Sequence, residues 1–451
     1  MRWLMVFLLA ALAMGCASLP DYELLHRTAE VRGAPRVIGE DGLLSRQQGA
    51  AVLRKLKEGE GVLHKHLTFM EAISDIPLVV GNSVRLLIDG PATYRSMYRA
   101  ISSARNHINL ETYILADDEA GNKMADLLIE KQSKGVQVNL IYDGVGSIKT
   151  PASFFENLSK KGVAVCQFNS VNLLKGNVLR LNHRDHRKIL VVDGTTAFTG
   201  GINISNVYTS SSSRRRPKND VTDGWRDTHI EIQGPAVAEL QKLFFTTWKK
   251  QDCAPLAEKK YLPVAERQGD KVVRVIGTSP DDPINLIYVD LLSAIVHAQQ
   301  SIYLTIAYFV PDPQIIEALK QAAKRGVDVK VVLPSFSDFW IVFHAGRSHY
   351  SELLEADIKV YERQDAMLHA KTAVIDGVWS TVGSTNMDWR SFLHNDEVNA
   401  IVLGEDFAKQ MNDMFKADLA NSKPVDPQQW QRRAIPERAK ELLARLWAYW
   451  L

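Results

Sequence analysis

A chain of 451 residues exceeds one average domain and suits two, each with room for a sizeable core. An apolar content of 46% with 24% charged residues excludes a disordered or fibrous protein. The net charge of +2 excludes a global basic excess, so any anion-binding surface must come from local clustering.

The chain opens as an export signal. Arg2 precedes an apolar run over 3–14, of signal-peptide length and too short to span a bilayer. Ala13-Met14-Gly15-Cys16 then resembles a bacterial lipobox, so removal of residues 1–15 and lipidation of Cys16 are expected. Ala17 after the cysteine implies the outer membrane, facing the periplasm. Residues 16–80 read as a tether plus a packing helix, with a weak helical pattern over 51–73 that Gly59 and Gly61 interrupt.

Two stretches of matching order follow, over 81–255 and 256–420. In the first, VRLLIDG is a short apolar strand, and 94–105 has helical spacing with Met97, Ile101 and Ala104 on one face. The strands HINLETYI (107–114) and VQVNLIYDG (136–144) flank an amphipathic helix over 122–134 that ends at Gly135. GVAVCQF comes next, then strands over 188–192 and 197–200. In the second, a helix over 292–298 leads to a strand over 301–309. A helix over 314–324 stopped by Gly326, a strand over 327–334 and ADIKVYE follow. Short β-rich apolar runs alternating with helices predict an α/β fold with a largely buried sheet.

Cys166 and Cys253 allow one disulfide, but Cys166 lies in an apolar run and reads as a buried free thiol. Arg214, Arg215, Arg216 and Lys218 follow four serines in a basic loop, open between contact with anionic head groups and simple solvation. In the tail, 421–451, Pro436 opens a helix with Leu442, Leu443, Leu446, Trp447, Trp450 and Leu451 opposite Arg438, Lys440, Glu441 and Arg445. Such a helix suits a membrane interface or docking on the protein's own core.

The chemistry concentrates in one duplicated pattern. His369, Lys371 and Asp376 form H-x-K-x-x-x-x-D, as do His186, Lys188 and Asp193. In both copies Gly stands 14 and Asn 17 residues after the His, giving Gly383 with Asn386 and Gly200 with Asn203. One copy is weak, since roughly 0.03 arise by chance in such a chain; two copies with matched offsets are strong. A His and a Lys two apart on a strand face the same side. Brought into one cleft, the copies give two imidazoles, two ammonium groups and two amides. One imidazole can attack phosphorus and the other protonate the leaving alcohol, with Lys and Asn on the non-bridging oxygens. No carboxylate cluster of metal-ligand type accompanies them, and His183 and His186 would face opposite sides of a strand, so neither metal nor cofactor is expected.

H-x-K-x-x-x-x-D followed by G-[GS]-x-N, present twice, resembles the signature of the phospholipase D superfamily. NHRDHRK (182–188), GWRDTHIEIQGP (224–235), MLHAKTAVIDG (367–377) and VGSTNMDWRSFLHNDE (382–397) look like bacterial cardiolipin synthases, as do Trp430, Arg432 and Arg433. The resemblance covers 77–451. It implies two pseudo-symmetric repeats, each a mixed sheet flanked by helices, with one active site at their interface. His186 would be the nucleophile and His369 the general acid, then base, with the reverse order open. Lys188, Lys371, Asn203 and Asn386 would bind phosphate, Asp193 and Asp376 would be structural, and Glu397 and Asp227 would orient the imidazoles. The implied activity moves a phosphatidyl group from phosphatidylglycerol to the head-group hydroxyl of a second phospholipid. Hydrolysis to phosphatidic acid is the alternative, and cleavage of nucleic acid a distant one. Anionic membrane phospholipids and the membrane surface are the expected partners, nucleic acid is not, and the duplicated chain is expected to act as a monomer.

Overall fold

The computed structural model describes residues 18–29, 35–56, 62–169, 182–212 and 224–451. The leader, Cys16 and the basic loop at 214–216 lie outside them.

The first repeat is a mixed sheet in the order Ala164–Phe168, Gln137–Asp143, His107–Thr112, Ile189–Val192, Thr196–Gly200, Thr228–Gln233 and Leu78–Ile88. Its first three strands pair in parallel and the remaining pairs are antiparallel. The second repeat has the same order with Lys359–Arg363, Asp328–Pro334, Ser301–Ile306, Lys371–Ile375, Trp379–Gly383, Asn395–Leu403 and Lys271–Thr278. Parallel neighbours need crossovers, which Glu119–Ser133 and Pro313–Lys324 supply in the two halves. The last strands of the two sheets, Leu78–Ile88 and Lys271–Thr278, pair antiparallel and join them.

Strand periodicity decides which core each side chain enters. Leu190 and Val192 face the outer core of the first repeat. Ile189 and Val191 enter a central core that also takes Val374, Val398, Ala400 and Val402 of the second repeat. The helices Val237–Lys250 and Glu405–Ala420 contribute Val237, Leu240, Phe407 and Met411 to the same cluster. A core drawn from both repeats fixes the cleft between them, and strands buried on both faces explain the near-continuous apolar runs.

The positive-φ positions Asp193 (+53°) and Asp376 (+51°) show what the last residue of each motif does. Asp193 accepts from the backbone N–H groups of Arg105, Asn106 and His107 at 2.7–3.0 Å. Asp376 does the same for Gln299, Gln300 and Ser301 at 2.7–2.9 Å. Each carboxylate anchors the start of the strand that leads to the site, and Asp tolerates the left-handed backbone better than most residues. Asp193→Ala is expected to cost about 2–3 kcal/mol in urea unfolding while turnover per folded molecule falls less than about tenfold. A loss of turnover with unchanged stability would give the residue a chemical part instead.

Two expectations need correction. Cys166 is bonded to Cys253, not free. The helix Val237–Lys250 returns the chain to the edge strand Ala164–Phe168, and Trp248 fixes that turn by donating to the Ala254 carbonyl at 2.8 Å. Closing a loop of 87 residues stabilises the fold by about 4.6 kcal/mol in the chain-entropy account. Next, the region read as a tether holds the helices Tyr22–Thr28 and Arg46–Lys55, and Val37–Gly39 pairs in parallel with the start of Leu78–Ile88. The packing helix starts after the glycines, as Val62–Ile73, and buries Val62, Leu67, Phe69 and Met70 in the second repeat's core. The tail helix Ile435–Arg445, open in sequence between a membrane interface and the protein's own core, docks through Glu441 and Ala444. Arg433 forks onto the buried Glu441 carboxylate at 2.7–3.2 Å. Leu442, Leu443, Leu446 and Trp447 therefore point outward, Leu446 with 73% of its surface exposed.

Candidate active site

Each H-x-K segment is bonded to the opposite repeat. Arg184 N–H donates to the His394 carbonyl (3.2 Å) and His186 N–H to that of Asp396 (2.9 Å). In the mirror arrangement, Arg226 N–H donates to the Met367 carbonyl and His369 N–H to that of Arg226, both at 2.8 Å.

This crossing delivers the carboxylates. His186 Nδ1 lies 3.0 and 3.1 Å from the two oxygens of Glu397, and His369 Nδ1 lies 2.7 Å from Asp227 Oδ2. An ionised carboxylate only accepts, so each Nδ1 carries a proton and each Nε2 faces the cavity, free to attack when bare or to donate when the ring takes a second proton. Burial pushes the Glu397 carboxyl up, but the His186 and Lys188 charges and the Ser384 hydroxyl outweigh it and hold it below the usual range. Asp227 is likewise pushed up by burial and held below its usual range by His369 and Lys371.

The cations are strained by the same burial. It lowers His186 to about 4, Lys188 to about 7 and Lys371 to about 8, while His369 is lowered by burial and by neighbouring Lys371. Lys188 Nζ donates to the His186 carbonyl at 2.6 Å, and Lys371 Nζ to the His369 carbonyl. An arriving phosphate restores the missing anionic partner and draws both lysines back to the charged form.

Asn203 Oδ1 accepts from Ile114 N–H (3.2 Å) and its amide donates to Tyr208 Oη (3.3 Å). The buried Asn386 side-chain oxygen has no hydrogen-bond partner among the described residues, and rotation of that amide presents its NH₂ to an anion. His186, His369, Asn203 and Asn386 line one cavity of about 410 Å³, with Tyr113 and Tyr308. Asp193 and Asp376 stay behind it, at the far ends of the motif strands. His183 sits apart from the imidazole pair, 2.8 Å from Asp396.

Sequence reading missed the aromatic frame. The Tyr113 ring stands edge-on to His186 at 5.1 Å and Lys188 Nζ lies 5.2 Å from its centroid. Tyr308 repeats this with His369 (6.0 Å) and Lys371 (5.9 Å). Tyr208 Oη also reaches His369 Nδ1 at 3.2 Å, and the Trp225 ring packs on His369 at 5.0 Å. The signal was present: Tyr113 and Tyr308 end the matched strands HINLETY and SIYLTIAY.

Two imidazoles oriented through Nδ1, flanked by buried lysines at the meeting of two like repeats, define a phosphodiester-transfer site of the phospholipase D-like type. The family model described as cardiolipin synthase, PLD-like domain, matches residues 97–214 and 291–419. A cardiolipin synthase of Geobacillus sp. (strain WCH70) is 37% identical over 383 residues, 84% of this chain and 74% of its own. Another, from Alkalihalophilus pseudofirmus, is 35% identical over 427 residues, covering 93% and 83%. In fold alone, the crystal structure of phosphatidylserine synthase from Haemophilus influenzae Rd KW20 is similar, with a TM-score of 0.61 at 13% identity over 84% of this chain and 98% of that one. The chain belongs to the cardiolipin synthase family.

Proposed function

We propose that the protein transfers a phosphatidyl group from phosphatidylglycerol to the head-group hydroxyl of a second phospholipid, forming cardiolipin and releasing glycerol. The crossed His186–Glu397 and His369–Asp227 pairs in one cavity carry this reading. His186 Nε2 attacks phosphorus, and the P–O bond to glycerol breaks as His369, entering as the imidazolium held by Asp227, passes its Nε2 proton to the leaving oxygen. The acceptor hydroxyl then gives its proton to His369, its oxygen bonds phosphorus, and the P–N bond breaks. Lys188, Lys371, Asn203 and Asn386 hold the non-bridging oxygens as charge builds.

The setting is a membrane surface. A cavity of about 410 Å³ holds head groups while acyl chains stay outside it. Its wall includes Phe339 and Trp450, which continue into exposed Trp340, Leu442, Leu443, Leu446 and Trp447. Exposed tryptophans and leucines beside a lipid-binding mouth favour insertion into the head-group region. Among the described residues no helix is long and apolar enough to cross a membrane, which is compatible with anchoring through a lipidated Cys16. The Cys166–Cys253 disulfide supports an exported, oxidising location. All the groups the mechanism uses come from one chain, which supports a monomer.

Purified protein with phosphatidylglycerol vesicles tests this. Cardiolipin with free glycerol is the expected product; phosphatidic acid alone would make water the acceptor and the protein a phospholipase D.

The pH profile has a defined sign. As pH rises, the His369 imidazolium is lost below the usual imidazole range and the Lys188 and Lys371 ammonium groups through about 7 and about 8, so kcat/KM for the donor falls across that span, well below the range of an exposed lysine. On the acid side it falls as His186 gains a proton near about 4. A plateau running on to about pH 10 would deny the lysines a charged role.

A further inference from the structure

The pseudo-twofold is broken beside the imidazoles. The crossed ladders make Arg184 and Met367 equivalent, each two residues before its histidine, and they match Asn395 to Trp225. Four residues past the motif asparagines, Arg390 stands where the other repeat has Val207. At all three places the His186 end is polar where the His369 end is apolar or aromatic. Arg184, Arg390 and Asn395 all line the cavity, as Trp225 does at the other end.

Both arginines are held in place. Strand periodicity puts Arg184 on the same side as His186, with the two Cα atoms about 7 Å apart. Its Nη1 lies 3.5 Å from Asp143, whose Oδ1 also accepts from the N–H groups of Val145 and Gly146 and whose Oδ2 accepts from that of Asp185. Arg390 Nη1 donates to Asn182 Oδ1 at 2.9 Å, two residues before Arg184. The charges of both reach Tyr113, the ring set against His186.

We propose that Arg184 and Arg390 form a second phosphate subsite, which holds the phosphodiester of the acceptor phospholipid. The proposal rests on the transferase reading. The paired lysines and asparagines suffice for the phosphate that reacts. Transfer to a glycerol head group brings a second, permanently charged phosphodiester within one three-carbon bridge of the reacting phosphorus. In a water-poor cavity that anion needs its own cations, and guanidinium groups bind phosphate oxygens in matched pairs. A hydrolase, or transfer to a neutral alcohol, has no use for them. The acceptor's own phosphate keeps all its bonds throughout; it is gripped, not changed.

The test offers two acceptors at once. Full-length protein is given phosphatidylglycerol vesicles with 1-propanol, and cardiolipin and phosphatidylpropanol are resolved by mass. Arg390→Gln is expected to lower the cardiolipin-to-phosphatidylpropanol ratio by about 20-fold or more, with Arg390→Lys recovering part of it. Raising the phosphatidylglycerol fraction should restore cardiolipin formation in Arg390→Gln. Arg184→Gln should shift the ratio in the same direction, and because the ratio is internal it is read from whatever fraction folds. Equal losses of both products would overturn the subsite and leave the transferase reading standing. Wild-type phosphatidylpropanol without cardiolipin at any phosphatidylglycerol fraction would overturn both.

Discussion

His186→Ala lowers glycerol release from phosphatidylglycerol by about 10⁴-fold or more, because the covalent intermediate forms on its Nε2. His369→Ala is equally inactive on that donor but for a different reason, which an activated donor exposes. A phosphatidyl ester of p-nitrophenol needs no proton on its leaving group. With it, His369→Ala should release one equivalent of p-nitrophenol per site and stall, since the base that activates the acceptor is gone. The P–N adduct is acid-labile, but alkaline quenching preserves phosphohistidine, and the adduct should map to His186. His186→Ala gives no burst with either donor. A burst in His186→Ala and none in His369→Ala would reverse the two roles, the order the sequence left open.

The repeats and their chemistry were legible for a physical reason. Binding a phosphodiester without a metal takes fixed residue types at fixed strand offsets, so His186 with Lys188 and His369 with Lys371 could be read from spacing alone. The strands and the buried sheet followed from runs such as VQVNLIYDG, whose apolar residues are buried on both faces. What escaped depends on contacts between distant segments. The Cys166–Cys253 bond spans 87 residues and is set by where the helix Val237–Lys250 ends. The tail helix shows an apolar stripe whichever way it faces. Only the Arg433–Glu441 pair, an ion pair buried where leucines were an option, turns the stripe outward. Arg184 and Arg390 escaped because no motif marks them. They stand out only when the two halves are superposed and one end of the cleft is seen to differ from the other.

Because the orienting carboxylates cross between repeats, their variants should follow the opposite histidine. In Glu397→Gln the new amide can donate to His186 Nδ1, which moves the ring proton to Nε2 and removes the attacking lone pair. A fall in kcat of about 10³–10⁴-fold is expected with both the natural and the p-nitrophenyl donor. Glu397 also accepts from Ser384 Oγ and Asn395 Nδ2, so its position is fixed and the amide has little freedom to turn away. Asp227→Asn acts on His369 instead. It should fall by about 10²–10⁴-fold on phosphatidylglycerol, yet still give the p-nitrophenol burst, because the first step with that donor needs only His186. Thus a change in the second repeat silences the nucleophile of the first, and a change in the first silences the acid of the second. Loss of the burst in Asp227→Asn with its retention in Glu397→Gln would contradict the crossed assignment, even if both variants were dead on the natural lipid. The two dyads are separable in kinetics although neither is complete within its own repeat, and that dependence explains why a single copy of the motif would not make this site.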